Sequence, residues 1–500
     1  MDRSSGILLP IFSLPSKYGI GTLGKQAYRF VDFLVKAKQS YWQILPIGQT
    51  SYGDSPYQSF SSFAGNPYFI DLDLLVEDNL ITKKDIKNLK NDKYIDYKYL
   101  FDTRYEVLYK AYLNGKEKYK NEFSDFININ NKWLEDYALF ISLKKYFDNK
   151  SWINWNDDIK KRNNDAIIKY KELLKDDILF YEFTQFLFYK QYYNLKKYAN
   201  DLGIKIIGDM PIYVALDSCD VWSNSDEFYL DKNTLLPKEV AGVPPDYFSE
   251  EGQLWGNPLY DWQHMKSNGY KWWIERIDGI SKCFDVVRID HFRGFEQYWS
   301  VPHDSSTAKN GKWNKGPSLD FVLTIKNWFY NVEFIAEDLG IIGEDVVKLI
   351  QDCGFPGMRV IEFSIDGKNE NVHLPHNYIN NTVCYTSTHD NLPINGWLKT
   401  LNKNQLKQLK EYYDLNGKDN AITIIKAGMS SVANLFICQM QDYLGFDENT
   451  AINRPGTLGN WKYRLDEKDI NNTLANKIAY ITKLYGRWKN NHINILRKSC

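Results

Sequence analysis

Short apolar runs recur along the chain, and most of them are followed by a segment whose apolar positions have helical spacing. Runs of this length that are rich in Val, Ile, Leu, Phe and Tyr are typical of buried strands. They cover residues 7–12, 41–47, 204–209, 285–290, 334–337, 358–363, 383–390 and 435–438. After the first run, one helix face over about residues 24–38 carries Ala27, Phe30, Val31, Leu34 and Val35. Eight buried strands that alternate with helices predict an α/β protein, an eight-fold β/α (TIM) barrel.

Two long insertions interrupt this alternation, one after the second predicted strand and one after the third. The first has helical patterns, and the second is rich in Pro, Gly, Trp and Asp. Insertions that follow barrel strands lie at the catalytic face. We therefore expect residues 1–500 to form a single catalytic barrel, with a mostly helical subdomain over 48–200 and a loop-rich cleft wall and lid over 210–268. No separate C-terminal β-sandwich domain is expected.

Composition narrows the classes of partner. The 62 Lys and Arg residues balance 63 Asp and Glu residues, so the charge indicates neither a nucleic acid nor an anionic membrane. No run reaches the ~20 apolar residues of a membrane span. The six cysteines form no CxxC pair and have no metal-ligand spacing, so we expect reduced thiols, a cytoplasmic protein, and neither metal nor cofactor. Aromatic residues make up 16% of the chain, which fits either a large core or a cleft lined for sugars.

Three carboxylates follow predicted strands at their carboxyl ends. They are Asp290, Glu337 and Asp390, and Arg288 and His389 lie beside the first and the last of them. The carboxyl ends of the strands carry the active site of a β/α barrel. A single acid at such a position is also explained as the cap of the next helix. Three acids with an Arg and a His favour the chemistry of glycosidic bonds, which uses paired carboxyl groups.

The neighbours of each acid predict a different role. Arg288 points to the same side of the strand as Asp290 and can lower the pKa of that carboxyl, as a carboxylate that attacks or stabilises the sugar carbon requires. An apolar run precedes Glu337, and burial beside another carboxylate raises the pKa of a general acid and base. Asp390 and His389 are expected to bind the hydroxyls of the sugar ring.

Two further segments fit a sugar site. The turn Gly53–Ser59 presents hydroxyls, an amide and the ring of Tyr57, which can cover the apolar face of a pyranose. The stretch Gly242–Pro258 has Pro at both ends and aromatic residues between them, which suits a lid or an ordinary surface loop with a buried Trp. The GxGxxG spacing of Gly19–Gly24 lacks the context of a dinucleotide site, and there is neither a P-loop nor an HExxH motif.

Taken in order, these motifs resemble the 4-α-glucanotransferases (amylomaltase or disproportionating enzyme) of glycoside hydrolase family 77, which are related to the α-amylase barrels. The resemblance covers most of the chain. It rests on the segments Ser55–Ser59, Ala64–Pro67, Gly208–Val214, Gly242–Pro258, Arg288–Gly294, Ala336–Gly340, Thr388–Asn391 and Asn453–Thr457.

The resemblance implies a retaining transglycosidase that works through a glycosyl-aspartate intermediate. It would transfer α-1,4-glucan segments from maltooligosaccharides, or from glucans derived from starch or glycogen, to the 4-hydroxyl of glucose or another glucan. Asp290 would be the nucleophile, Glu337 the general acid and base, and Asp390 the transition-state stabiliser. The substrate-binding residues would be Tyr57, Ser55, Asp209, Asp246, Glu250, Trp255, Asn257, Arg288, His389 and Asn460, with Tyr247 and Phe248 in a lid. The alternatives are an α-1,4-glucan hydrolase of the same fold and an inactive glucan-binding protein.

Overall fold

The structure is a computed structural model that describes residues 1–245, 250–340 and 342–488. Its strands are β1 (Ser4–Leu8), β2 (Tyr41–Gln43), β3 (Lys205–Met210), β4 (Glu239–Val243), β5 (Gln253–Pro258), β6 (Val286–Ile289), β7 (Gln297–Pro302), β8 (Lys312–Lys315), β9 (Glu333–Ala336), β10 (Gly357–Val360), β11 (Thr382–Tyr385) and β12 (Leu435–Gln439). Its helices are α1 (Lys25–Lys36), α2 (Leu72–Glu77), α3 (Lys83–Ile86), α4 (Tyr97–Gly115), α5 (Lys120–Tyr146), α6 (Asp157–Lys160), α7 (Asn164–Leu173), α8 (Lys175–Asp201), α9 (Cys219–Ser223), α10 (Trp262–Ser267), α11 (Lys271–Cys283), α12 (Ser318–Trp328), α13 (Glu344–Cys353), α14 (Ile394–Thr400), α15 (Lys403–Tyr413), α16 (Asn420–Ser430), α17 (Met440–Leu444) and α18 (Asn472–Leu484).

Eight of the described strands close a parallel barrel in the order β1-β2-β3-β6-β9-β10-β11-β12. The predicted β/α barrel is confirmed, and each predicted strand overlaps a strand of this barrel. Four predicted strands were too long by three residues or more, because β1, β2, β10 and β11 end at Leu8, Gln43, Val360 and Tyr385. The residues beyond these ends remain mostly buried, so their apolar character reports burial rather than strand geometry. After β12, the described chain contains α17 and α18 and no further strand.

The chain between β2 and β3 forms helices α2 to α8, and the long helices α5 and α8 pack against each other. Two glutamines of α8 attach this helical layer to the loop that follows β2. The side-chain amide of Gln185 accepts from the N–H of Gly65 at 2.8 Å and donates to its C=O at 3.0 Å. Gln191 does the same with the backbone of Asp71, at 2.7 and 3.1 Å. Each glutamine amide thereby pairs with the N–H and C=O of one backbone residue, as a neighbouring strand would, and this attaches the loop to α8.

A second sheet, antiparallel and four-stranded in the described residues, has the order β5-β4-β7-β8. Strands β4 and β5 come from the insertion after β3, and β7 and β8 from the segment after β6. The hydrophobic pattern does not predict this sheet, because β8 (Lys-Trp-Asn-Lys) and β5 (Gln-Leu-Trp-Gly-Asn-Pro) mix polar and apolar residues without a clear alternation. Strand β7 packs against the short turn Phe292–Phe295 after β6, which places this sheet next to the segment that carries Asp290.

Candidate active site

The backbones of Asp290 and Glu337 continue the hydrogen-bond ladder of the barrel beyond the strand ends. The N–H of Asp290 donates to the C=O of Met210 at 2.9 Å, and the N–H of Glu337 donates to the C=O of Ile289 at 3.0 Å. His291 then turns the chain, with a left-handed backbone at φ 52°. Both carboxylates therefore stand on parts of the chain that are as well ordered by hydrogen bonds as the strands themselves.

Glu337 is held by two backbone donors. Its Oε2 accepts from the N–H of His291 at 2.7 Å, and its Oε1 accepts from the N–H of Leu339 at 2.7 Å. Burial and the adjacent charge of Asp290 raise the pKa of Glu337 to about 8, against the opposing effects of Arg288 and the two backbone bonds. At neutral pH this carboxyl consequently carries a proton, as a general acid must.

Arg288 lies between two carboxylates. Its Nη1 donates to Asp290 Oδ1 at 2.9 Å and lies 2.6 Å from both carboxylate oxygens of Asp209. Burial raises the pKa of Asp290 to about 6, although Arg288 acts to lower it. The expectation of a lowered pKa was wrong, because Arg288 is shared with Asp209 and burial outweighs its charge. Asp290 is nevertheless mostly ionised at pH 7, while Glu337 is protonated.

Tyr57 connects Asp209 to the third acid. Its hydroxyl donates to Asp209 Oδ2 at 2.9 Å and lies 2.8 Å from His389 Nε2. Because the hydroxyl has a single proton, which Asp209 accepts, Nε2 of His389 is assigned as the donor to Tyr57. The same Nε2 lies 3.3 Å from Asp390 Oδ2. The network therefore runs from Asp290 through Arg288, Asp209, Tyr57 and His389 to Asp390.

Asp390 is the most exposed of the three predicted catalytic acids, with 42% of its side chain accessible. Burial acts to raise its pKa, but His389 and a hydrogen bond from Asn453 lower it to about 2. Asn453 Nδ2 donates to Asp390 Oδ1 at 2.6 Å. The charge of Asp390 in turn raises the pKa of His389 against the effect of burial. The pair can offer a carboxylate and an N–H to neighbouring sugar hydroxyls.

A buried carboxylate holds the loop that carries His389 and Asp390. Asp442, which is 1% exposed, accepts from the hydroxyl of Thr386 and from the N–H of Ile394, each at 2.7 Å. These two partners lie on either side of the loop. Asp442 therefore fixes both ends of the segment that presents the third acid.

Two residues of the site, Trp461 and Asn453, were not predicted to take part in it. Trp461 packs beside Tyr57 and His389, with ring centroids at 5.8 and 6.1 Å, while Tyr57 and His389 stack on each other at 5.2 Å. Asn453 belongs to a motif of the resemblance but had no assigned role. Of the residues next to Trp461, only Asn460 was predicted to bind substrate. Trp461 and Asn453 were missed because each contacts the site from a segment that is distant in sequence.

Three of the predicted substrate-binding residues form hydrogen bonds with the backbone of the protein. Ser55 Oγ accepts from the N–H of Tyr57 at 3.2 Å. The buried Asn257 donates to the C=O of Val214 at 2.8 Å. Asn460 closes the 454–460 loop by accepting from the N–H of Arg454 at 3.0 Å. Each of these contacts supports a loop beside the cleft.

The remaining predicted residues belong to the stretch Gly242–Pro258, which was expected to line the cleft and form a lid. The ring of Trp255 meets that of His291 edge-on at 4.8 Å, beside Glu337. Glu250 is exposed, just before β5. Asp246, Tyr247 and Phe248 lie outside the described residues.

Residues 1–245, 250–340 and 342–488 contain neither a candidate metal cluster nor a membrane-spanning helix. Over these ranges, no group of three or more His, Cys, Asp or Glu side chains could hold a metal ion. Over the same ranges, no helix has both the length and the apolar character to cross a membrane.

Comparison with known proteins agrees with the barrel and its motifs. The family model of glycoside hydrolase family 77, described as 4-alpha-glucanotransferase, matches residues 9–470. The 4-alpha-glucanotransferase of Clostridium butyricum is 51% identical over 483 residues, covering 95% of this chain and 99% of that protein. That of Thermus thermophilus is 42% identical over 478 residues, covering 93% and 95%. Amylomaltase from Streptococcus agalactiae in complex with acarbose is 42% identical, with a TM-score of 0.95 over 97% of this chain and 100% of that one. Because sequence and fold match along nearly its whole length, the chain belongs to the 4-alpha-glucanotransferase family.

Proposed function

We propose that this 4-alpha-glucanotransferase transfers α-1,4-glucan segments by double displacement, with Asp290 as nucleophile and Glu337 as general acid and base. The observation that supports this assignment is the contrast between the two carboxyls. At pH 7 the pKa of about 6 leaves Asp290 mostly ionised, whereas the pKa of about 8 keeps the proton on Glu337. A nucleophile and an acid require these two states.

In the first step, an oxygen of Asp290 attacks the anomeric carbon of the donor glucan. The bond from this carbon to the leaving oxygen breaks, and the proton of Glu337 moves to that oxygen. Arg288 holds Oδ1 of Asp290 at 2.9 Å and so orients the carboxylate for attack. In the second step, the 4-hydroxyl of an acceptor sugar gives its proton to Glu337 and attacks the same carbon, which releases Asp290.

The network from Asp209 to Asp390 is proposed to bind the donor sugar at the cleavage point. The half-buried ring of Tyr57, which stacks on the buried ring of His389, offers a flat surface to the pyranose. Asp390 and His389 are expected to bind ring hydroxyls, and those bonds strengthen as the sugar carbon gains positive charge. Maltooligosaccharides and starch- or glycogen-derived glucans are the proposed donors, and glucose or a shorter glucan is the proposed acceptor.

Incubation with maltotriose tests the proposal. We expect a ladder of longer oligosaccharides together with glucose, because the glucan segment passes to another sugar. Shortening without longer products would identify a hydrolase, in which water takes the place of the acceptor. Binding of maltotriose without turnover would identify an inactive glucan-binding protein. Asp290→Asn serves as the control, since it keeps the volume of the side chain and removes the nucleophile.

We also propose that the enzyme works in the cytoplasm. The five cysteines among the described residues are all buried free thiols, as is typical of proteins in reducing compartments.

A further inference from the structure

The second sheet presents tryptophans in one row. Trp299 on β7 pairs directly with Trp313 on β8, and residues that pair across an antiparallel ladder lie on the same face. Their rings meet edge-on at 5.2 Å. Trp299 also pairs with Gly242 on β4, which contributes no side chain to the row. Trp313 is 40% exposed, so a large apolar ring remains accessible at the edge of the sheet.

Arg293 connects this row to the acid. It lies in the short turn that follows Asp290, and its guanidinium stacks over the ring of Trp313 at 4.3 Å from the ring centroid. The N–H of His291 donates to Glu337 Oε2 at 2.7 Å and the N–H of Phe292 donates to the C=O of Glu337 at 3.1 Å, so the backbone next to Arg293 is bonded to the acid. Glu337, Arg293 and Trp313 therefore follow one another outwards from the site.

This direction corresponds to the acceptor side of the cleft. Asp209, Tyr57 and His389 gather around Arg288, on the side of the nucleophile. A general acid protonates the leaving oxygen, so the departing and incoming sugars lie beyond Glu337. Arg293 connects the backbone beside Glu337 to the ring of Trp313, and on this basis the ring is assigned to sugars beyond the one that reacts.

We propose that Trp313 is the stacking platform of an outer acceptor subsite, which binds the second or third glucose of an incoming α-1,4-glucan. Arg293 covers one side of the ring and holds it in place, and its N–H groups can donate to sugar hydroxyls. The inference rests on the proposed roles of Asp290 and Glu337, because these roles define which side accepts.

The experiment uses α-maltosyl fluoride as donor, since fluoride leaves without occupying acceptor subsites. Transfer to glucose and to maltotriose is measured separately for the wild type and for Trp313→Ala. We expect the KM for maltotriose to rise about 3- to 10-fold, the range that one aromatic contact provides. The KM for glucose and the release of fluoride without acceptor should stay within twofold of wild type. Trp313→Phe should restore most of the maltotriose affinity.

Trp328→Ala is the matched control, because Trp328 is 63% exposed at the end of α12 and takes no part in the proposed subsite. It should leave both KM values unchanged. Equal effects of Trp313→Ala on glucose and maltotriose, or no effect on either, would overturn the inference. So would a shift of the alkaline limb of the pH profile, since Trp313 would then act through Arg293 on Glu337. A wild type that releases fluoride without forming transfer products would instead refute the proposed function.

Discussion

Replacing Glu337 by Gln should remove the proton that the leaving oxygen needs while keeping the Asp290 carboxylate in place. With a pKa of about 8, Glu337 is protonated in roughly nine molecules out of ten at pH 7. A glutamic acid with an ordinary pKa of about 4.3 would be protonated in roughly one of 500. Its environment thus enriches the protonated form by roughly two to three orders of magnitude at pH 7, equivalent to about 4 kcal/mol. Loss of the acid should slow maltotriose turnover by about 10²- to 10⁴-fold.

A donor that needs no protonation isolates the two steps. With α-maltosyl fluoride, Glu337→Gln should release close to one equivalent of fluoride per enzyme in a burst, because Asp290 can still attack but no base assists the acceptor. Intact-mass spectrometry should then find a maltosyl adduct on the protein. The rising limb of the pH profile near 6 should remain, since Asp290 must be ionised, and the falling limb near 8 should disappear. A burst that is slowed as much as maltotriose turnover, or an alkaline limb that persists, would refute the assignment.

Three further predictions concern stability and positioning. The pKa of Glu337 is raised above its ordinary value, so the folded state binds this proton more tightly and the wild type loses stability as pH rises from about 4 to 8. The Tm advantage of Glu337→Gln should therefore grow from pH 5 to pH 8 in thermal scans, and a constant difference would contradict the buried acid. Tyr57→Phe keeps the ring but loses the bonds to Asp209 and His389, so kcat/KM for maltotriose should fall about 10-fold, and Tm should fall as well because two buried groups lose a partner. An unaltered kcat/KM would show that the hydroxyl is dispensable. Asp442→Ala leaves buried donors without an acceptor, so urea unfolding should show a loss of about 3 kcal/mol, with a lower kcat. Full activity in that variant would mean that the loop with Asp390 holds its shape without Asp442.

The barrel could be predicted because its strands are buried on both faces and read as continuous apolar runs. The same property misled the prediction at residues 386–389, which are buried but leave strand geometry after Tyr385. The antiparallel sheet with Trp313 had no such signal, since its strands are short and mix polar with apolar residues. The local hydrophobic pattern therefore predicts burial. It predicts a strand only where the buried residues also have strand geometry.

Much of the site could be predicted because Asp290 and Glu337 follow their strands directly. The contributions of Trp461, Asn453 and Asp442 could not, because each reaches the site from a segment far away in sequence. The sign of the pKa shift at Asp290 was missed for a related reason. Sequence shows Arg288 two residues away, but only the fold shows that Asp209 binds the same guanidinium.

The hydrogen bond from the N–H of His291 to Glu337 makes the residue after Asp290 a support for the second carboxyl. Together with the ladder bonds of both backbones, it leaves the two carboxyls little freedom to approach each other during the reaction. On the proposed mechanism we therefore expect the sugar to supply the movement, with its anomeric carbon passing from the leaving oxygen to Asp290.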